Sequence, residues 1–240
     1  YEEEDIWIKN NGTGRHFALK ESVTEDDPAL LQVAVQEFDE ALDAFVEYLT
    51  ITPNGDVTLD ALSKYIDVDS FLQYYLVNEY TLNRESVSSS FYWYKDGSGD
   101  VLHLGPVWDF DTCMGNDLNA EDSSQKYHIY VYTVYWKLLS VPVVQQALSG
   151  MYVNNFSLFT DMSQNAEEIY SKISSSAEMN YTRWNTLIGG VSGKGTYFAN
   201  SYVEASDNLQ KWLSDRNGYF DLSDVYQMRP ISVSVNADAA

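Results

Sequence analysis

Apolar residues recur at helical spacing through most of the chain, and the first long run extends from residue 28 to about residue 49. Asp26 and Asp27 precede Pro28, which favours a helix start there because proline fits the first helical turn. The sequence Thr52-Pro53-Asn54-Gly55 breaks the pattern. The sequence therefore predicts one long amphipathic helix near the start of the chain.

The same periodicity predicts further helices downstream. A short helix covers residues 59–66, and Asp67 or Asp69 then caps a helix that runs through FLQYYLVNEYTLN. From about Tyr130 the chain is helical again, in YVYTVYWKLLS, PVVQQALSGMYVNNFSLF and NAEEIYSKISSSAEMN. The glycine-rich stretch LIGGVSGKGT lacks the spacing of a phosphate-binding loop, so we interpret it as a flexible connection to a last helix, YVEASDNLQKWLSDR.

Two segments have a period of two instead. The opening residues predict short extended pieces around an Asn-Gly and Thr-Gly turn, with Ile6, Trp7 and Ile8 in a small strand. SSFYWYKDGSGDVLHLG predicts a β-hairpin, with strands over 91–94 and 101–104. Together these patterns predict a predominantly helical α+β fold. They indicate a single domain over 1–230, followed by a small polar tail or linker over 231–240.

The charge balance limits the classes of partner. The chain has 36 acidic and 14 basic residues, a formal net charge of −22. That field repels nucleic acid backbones and anionic membranes, and it favours a bound cation or a basic substrate. No apolar run approaches the roughly 20 residues that a membrane-spanning helix needs. Because the chain does not begin with Met, we expect Tyr1 to be a mature or trimmed start.

The stretch GPVWDFDTCMGND, which follows the predicted hairpin, holds the strongest candidate site. Asp109 and Asp111 would share a face if the segment is extended, and their charges would repel unless a cation lay between them. Trp108 and Phe110 would then point the other way, into the core. This pattern favours a divalent metal site. Two alternatives stay open: the carboxylates cap a turn, or they hold calcium in a structural domain.

A longer pattern around these acids resembles a known family. Its parts are the D-x-D-S-F helix start, the N-E-x-x-x-N helix end, the aromatic strand Y-x-Y-K-D, and G-P-V-W-D-F-D-x-x-x-G-N, all within residues 66–116. YWKLLSVP, MNYTRW and LQKWLSDR agree more loosely. This combination resembles the CotH kinase family of spore-coat and exported bacterial proteins, and it is most similar to the exported, acidic branch.

The resemblance implies an atypical kinase fold in which Trp-Asp-x-Asp takes the place of Asp-Phe-Gly. The metal-binding acid of the family corresponds to Asp109, with Asp111 as second ligand. The implied cofactors are Mg²⁺, or another divalent cation, and ATP, with Asn83, Ser90 and Asp111 in the cofactor site. The implied reaction is phosphorylation of protein Ser or Thr, and phosphoryl transfer needs such a clamp because charge spreads over the phosphoryl oxygens.

The chain departs from the family pattern after the central helix. Where family members carry N-x-D and then an asparagine, this chain has Glu85 as the acid and Ser89 and Ser90 at the amide positions. By the resemblance it also begins where the first half of the family domain ends. These departures favour an alternative: a catalytically impaired interaction module of an exported cell-surface or cellulosome-associated protein. In either case we expect an extracellular location and a protein substrate or partner.

Overall fold

The computed structural model describes residues 7–20, 27–116, 124–184, 199 and 201–227. The fold is predominantly helical α+β, as predicted, with two small antiparallel sheets of two strands each. The first sheet pairs β1, Trp7–Asn10, with β2, Arg15–Ala18. The predicted glycine-rich loop and the tail beyond residue 227 lie outside the described residues.

The long helix α1 spans Pro28–Ile51 and confirms the first predicted helix. The Asp27 side chain caps it by accepting hydrogen bonds from the backbone N–H groups of Ala29 and Leu30. The buried side chain of Asn10 ties the first hairpin to this helix, because its Nδ2 donates to Asp39 Oδ1 and to Asp43 Oδ1, each at 2.8 Å.

Helix α3, Val68–Thr81, is the most deeply buried element near the candidate site. It follows the short helix α2, Leu59–Leu62, and begins at Asp67, whose side chain accepts a hydrogen bond from Ser70 N. Phe71 and Tyr75 are fully buried in α3, and Phe71 packs edge-on against Phe45 of α1. The second hairpin therefore packs on this helix.

The second hairpin is shorter than the sequence predicts. Its strands are β3, Trp93–Tyr94, and β4, His103–Leu104, and they form only two residue pairs. Trp93 stacks edge-on against Phe71 of α3 at 5.2 Å between ring centroids, so the hairpin packs on α3 as expected. Leu102 is buried, while Phe91, Trp93 and Val101 are half-buried.

The remaining helices form the second half of the molecule. They are α4 (Thr133–Leu139), α5 (Pro142–Asn154), α6 (Phe156–Thr160), α7 (Met162–Trp184), α8 (Tyr202–Tyr219) and α9 (Leu222–Gln227). Helix α9 was not part of the sequence prediction. Among the residues that the structure describes, no helix has the length and hydropathy needed to cross a bilayer.

Candidate functional site

The end of α3 turns the chain sharply into the candidate site. Leu82 caps the helix in a left-handed conformation, with φ at 54°, and its side chain is buried. A non-glycine residue adopts this region only at an energetic cost, so the surrounding packing holds it there. The next residue, Asn83, is fully buried, and its backbone N–H donates to Asn78 O at 2.9 Å.

Glu85, Ser89 and Ser90 lie together in the turn that follows. A 3₁₀ helix spans Arg84–Val87, and the Glu85 carbonyl accepts hydrogen bonds from the N–H groups of Ser88 and Ser90, at 2.9 and 3.1 Å. Ser89 Oγ donates to Glu85 Oε2 at 3.3 Å. Glu85 as a whole residue is half-buried. Glu85, Ser89 and Ser90 therefore form one compact unit.

Two neighbouring elements hold this turn in place. Tyr74 of α3 lies beneath it, and its hydroxyl is within hydrogen-bonding distance of two carbonyls, Ser86 O at 3.0 Å and Ser90 O at 3.2 Å. From the other side, Arg15 of β2 donates to Val87 O at 2.7 Å, and its guanidinium lies 4.2 Å from the centre of the Tyr132 ring. The hydroxyl of Tyr74 and the guanidinium of Arg15, which also lies over the Tyr132 ring, therefore stabilise the turn.

Asp109 and Asp111 lie in an irregular turn and not in an extended segment. The chain leaves the hairpin at Gly105, and Asp109 adopts a left-handed conformation, with φ at 62°. Met114 N donates to Thr81 O at 2.9 Å, which fixes the far end of this turn to the end of α3. The expected alternation of faces is therefore absent.

The prediction that Trp108 is buried is wrong. Its side chain is 58% exposed, and Phe110 is only half-buried. The physical reason is local: none of the strands that the structure describes pairs with this segment, and the left-handed Asp109 breaks the alternation that would have directed the indole inward. Asp109 and Asp111 are close together, as expected, but because the chain turns there and not because they share a face of an extended segment.

The carboxyl groups of Asp109 and Asp111 lie close together. Asp109 is near enough to act on the protonation of Asp111. The pKa of Asp111 is raised, first by desolvation and then by its interactions with Asp109. Among the described residues, no Lys or Arg side chain forms a salt bridge with either carboxylate. The pair therefore concentrates negative charge that a cation would relieve.

The structure brings the predicted site residues into one group. Ser90 Oγ lies 3.4 Å from Asp109 Oδ2, at the long end of hydrogen bonding. Asn83 Nδ2 donates to Trp108 O at 3.3 Å, so its amide lies against the peptide that precedes Asp109. We call residues 84–90 the Glu85 turn and residues 109–112 the acidic turn. The two turns thus meet through Ser90 and through the neighbouring Asn83. Asp117 lies outside the described residues.

Two buried oxygen atoms in this group offer further acceptors. Asn83 Oδ1 and Thr112 Oγ1 are buried and have no hydrogen-bond partner among the described residues. Buried polar atoms are nearly always paired with protein, water or an ion, so both oxygens have acceptor capacity for a ligand. Carboxylate, amide and hydroxyl oxygens are the donor set that Mg²⁺ and Ca²⁺ prefer. The residues present therefore fit a hard divalent cation.

A buried acid, Glu79, and a buried arginine, Arg216, lie near the end of α3 and were not among the predicted site residues. Glu79 is fully buried and accepts hydrogen bonds from the N–H groups of His128 and Tyr130, at 2.6 and 3.0 Å. Burial raises the pKa of Glu79, which the donated hydrogen bonds and the charge of Arg216 oppose. Arg216 donates to Tyr80 O and Ser124 O, each at 2.9 Å. The only sequence indication was Glu79 in the N-E-x-x-x-N pattern.

Comparison with known proteins finds one matching protein family. A family model described as CotH kinase protein matches residues 10–220. That range includes the second hairpin, α3 and every candidate site residue. A search of curated proteins finds no match.

Proposed function

The chain belongs to the CotH kinase protein family, and from this premise we propose that it binds Mg²⁺-ATP at the acidic turn and phosphorylates Ser or Thr of a protein. Family membership by itself suggests an atypical kinase-like function. The cofactor, the acceptor and the roles of individual residues are our proposal. We further propose that residues 1–230 act as one domain, and that the protein works outside the cell, where its acidic surface favours a basic protein segment.

One observation carries the proposal: Asp109 lies close enough to Asp111 to raise its pKa, and Ser90 Oγ, from the turn that holds Glu85, lies 3.4 Å from Asp109 Oδ2. Two like charges in contact are unfavourable unless a proton or a cation lies between them. The buried, unpaired oxygens Asn83 Oδ1 and Thr112 Oγ1 support a bound ion with further oxygen ligands. A purely turn-capping role would leave these unpaired oxygens unexplained.

In the proposed site, Asp109 and Asp111 hold the metal ion, which when bound supplies positive charge to the phosphate oxygens. Ser90 orients Asp109 through the contact between Oγ and Oδ2. Asn83 fixes the backbone before Asp109 by donating to Trp108 O and presents its carbonyl oxygen to the ligand. The chain's own contribution is thus the positioning of oxygens before the nucleotide arrives.

Glu85 is the proposed general base. Its carboxylate would accept the proton of the acceptor hydroxyl, and Ser89 Oγ holds Oε2 in place at 3.3 Å. Glutamate is one methylene longer than the family's aspartate, so its carboxylate lies further along the side chain. Serine is also a weaker metal ligand than an asparagine carbonyl. We therefore expect slow phosphoryl transfer from the chain with these residues.

The second candidate function is an interaction module that retains the fold without the chemistry. The residues Glu85, Ser89 and Ser90 favour it, because they replace the acid and the amides that the family resemblance implies for a kinase. In this alternative the exposed Trp108 and the acidic turn would serve a protein partner in a cell-surface or cellulosome-associated assembly.

A phosphotransfer assay separates the two candidates. We expect Mg²⁺-ATP to give weak phosphorylation of Ser or Thr, detected by mass spectrometry, and Glu85→Gln to reduce it by roughly 10²–10⁴-fold because the base is lost. The double change Glu85→Asp with Ser90→Asn is expected to raise the rate. Glu47→Gln, on an exposed part of α1, is the matched control. Failure of the double variant both to bind Mg²⁺-ATP and to transfer phosphate would favour the interaction module.

A further inference from the structure

A second group of metal-ligating side chains lies in the turn of the second hairpin. Asp96 and Asp100 lie between β3 and β4, and His103 is the first residue of β4. One ligand atom from each of the three residues can be chosen so that all lie within 4.8 Å of one another. The group is outside the acidic turn of Asp109 and Asp111, and it contains an imidazole nitrogen, which that turn lacks.

The histidine in this group has both ring nitrogens directed at carboxylates. His103 Nε2 lies 3.3 Å from Asp100 Oδ2, and Nδ1 lies 4.0 Å from Asp67 Oδ2 on the opposite side of the ring. The Tyr94 ring stacks on the imidazole at 4.8 Å between centroids and 18° between planes. The ring orientation is therefore fixed by neighbours on three sides.

Asp100 is also held in position before any ligand binds. Its Oδ2 accepts the N–H of Asp96 at 3.0 Å, and its Oδ1 accepts the N–H of Val101 at 2.8 Å. Each carboxylate oxygen has a second lone pair, so these bonds leave acceptor capacity for a cation. Asp96 is exposed, and its carboxylate can turn toward the other two ligands.

We propose that Asp96, Asp100 and His103 bind a divalent transition-metal ion of the zinc class at the tip of this hairpin. One imidazole nitrogen with two carboxylates is a donor set that suits Zn²⁺, whereas oxygens alone suit Mg²⁺. Donor atoms around one zinc ion lie roughly 3–3.5 Å apart, given bonds of about 2.1 Å. The His103–Asp100 pair already has that spacing, at 3.3 Å. Water completes the coordination.

Asp67 Oδ2 lies 4.0 Å from His103 Nδ1, which is beyond hydrogen-bonding distance but on the side where zinc-bound histidines commonly have an outer contact. A metal-ligating imidazole usually directs its other nitrogen at a carboxylate or carbonyl, which sets the tautomer. With Nε2 on the metal, the Nδ1–H of His103 faces Asp67, and Asp67 Oδ1 already caps α3 through Ser70 N. Metal binding would therefore link the hairpin turn, β4 and the start of α3.

The consequence is a stiffer hairpin next to the proposed catalytic turn. The two strands form only two residue pairs, which is too short a ladder to be stable by itself. The chain passes from β4 directly to Gly105 and then to Asp109. An ion that joins the turn to β4 would reduce motion at the point where the acidic turn begins.

Calorimetric titration with Zn²⁺ tests the proposal and requires no phosphotransfer. We expect stoichiometric binding that falls at least tenfold in His103→Gln and in Asp96→Asn. The exposed His16 of β2 supplies the matched control, His16→Gln, which is expected to bind Zn²⁺ like the unchanged protein. Because Asp96 is exposed, its replacement keeps the test valid even if His103→Gln fails to fold.

A second variant separates this site from the acidic turn. Zn²⁺ binding is expected to persist in Asp109→Ala, and the His103 imidazole resonances are expected to shift on titration in that variant. Loss of Zn²⁺ binding in Asp109→Ala, or unchanged binding in both Asp96→Asn and His103→Gln, would overturn the proposal. The second result would leave His103 as an ion-pair partner of Asp67 and Asp100 only.

Discussion

Asp109 has the backbone conformation on which the site depends. Its left-handed φ of 62° lets two carboxyl groups meet within a turn, and the adjacent indole of Trp108 is directed toward solvent. Aspartate tolerates this region better than most residues but still at a cost. A residue held in an unfavourable conformation beside charged neighbours is typical of functional sites.

Replacement of Asp111 by asparagine is expected to stabilise the metal-free protein and to weaken its response to Mg²⁺. The raised pKa of Asp111 means that the folded state favours its protonated form, so its stability contribution is lost as the pH rises through that pKa. At neutral pH the ionised carboxylate therefore destabilises the fold. We expect Asp111→Asn to raise the Tm without metal and to reduce the Mg²⁺-induced increase in Tm.

The control for this prediction is Asp207→Asn, an exposed position on α8. It removes the same charge from the chain without touching the acidic turn, so its effects on both measurements are expected to be small. A lower Tm for metal-free Asp111→Asn would show that Asp111 stabilises its turn as a cap, which was one of the alternatives open from the sequence.

At the scale of elements, α3 positions most of the site. Its start holds Asp67, its middle places Tyr74 under the Glu85 turn, and its end at Thr81 binds the backbone of the acidic turn. The amphipathic pattern predicted this helix and its cap because both depend on neighbouring residues. The two turns that α3 brings together are distant in sequence, and periodicity carries no information about their contact.

Removal of the Tyr74 hydroxyl is expected to loosen the Glu85 turn. Tyr74→Phe deletes the hydroxyl that contacts Ser86 O and Ser90 O, and we expect a loss of about 1–2 kcal/mol in the free energy of unfolding. Hydrogen exchange at the N–H groups of Ser88 and Ser90 should become faster. Tyr65→Phe, in a ring that stacks on Tyr48, is the control. Equal exchange in the two variants would show that Tyr74 does not brace the turn.

The limits of sequence prediction are clearest at the second hairpin. Alternating residues located its turn and its packing on α3, but the pairing covers only His103–Leu104 and Trp93–Tyr94. The alternation continues in the sequence through Trp108, where the chain has already left the sheet. A pattern of side chains shows which residues could pair, whereas actual pairing depends on the partner strand and on local backbone conformations.

For the whole molecule, the fold class and the strongly acidic charge could be predicted from the sequence. The hydrogen bonds between buried polar groups could not. Arg216 of α8 is fully buried and binds the carbonyls of Tyr80 and Ser124, and the ring of Tyr127 lies 5.2 Å from its guanidinium. These contacts join residues more than 80 positions apart. They lock the end of α3 to the C-terminal half.

The buried tyrosines predict how stability depends on alkaline pH. Burial raises the pKa of Tyr127 and Tyr132 to about 12 and also raises the pKa of other core tyrosines. The buried tyrosines of the core include Tyr74, Tyr75, Tyr80, Tyr127, Tyr132 and Tyr135. Their contribution to stability is complete below about pH 10, the pKa of an unfolded tyrosine, and is lost as the pH rises toward 12.

We therefore expect cooperative unfolding between about pH 10 and pH 12, accompanied by a rise in phenolate absorbance. Circular dichroism measured on the same samples should change together with that absorbance, because the core tyrosines ionise only when the fold opens. Full phenolate absorbance with unchanged circular dichroism would show that these hydroxyls reach solvent in the folded protein.

Calorimetric titration with ATP, in the presence and absence of Mg²⁺, tests the central claim most directly. The claim is that Asp109 and Asp111 hold a metal-bound nucleotide. We predict saturable binding with Mg²⁺, little or no binding without it, and loss of binding in Asp109→Ala but not in the exposed control Asp207→Ala. Binding of ATP that is the same with and without Mg²⁺, or that survives unchanged in Asp109→Ala, would contradict the claim.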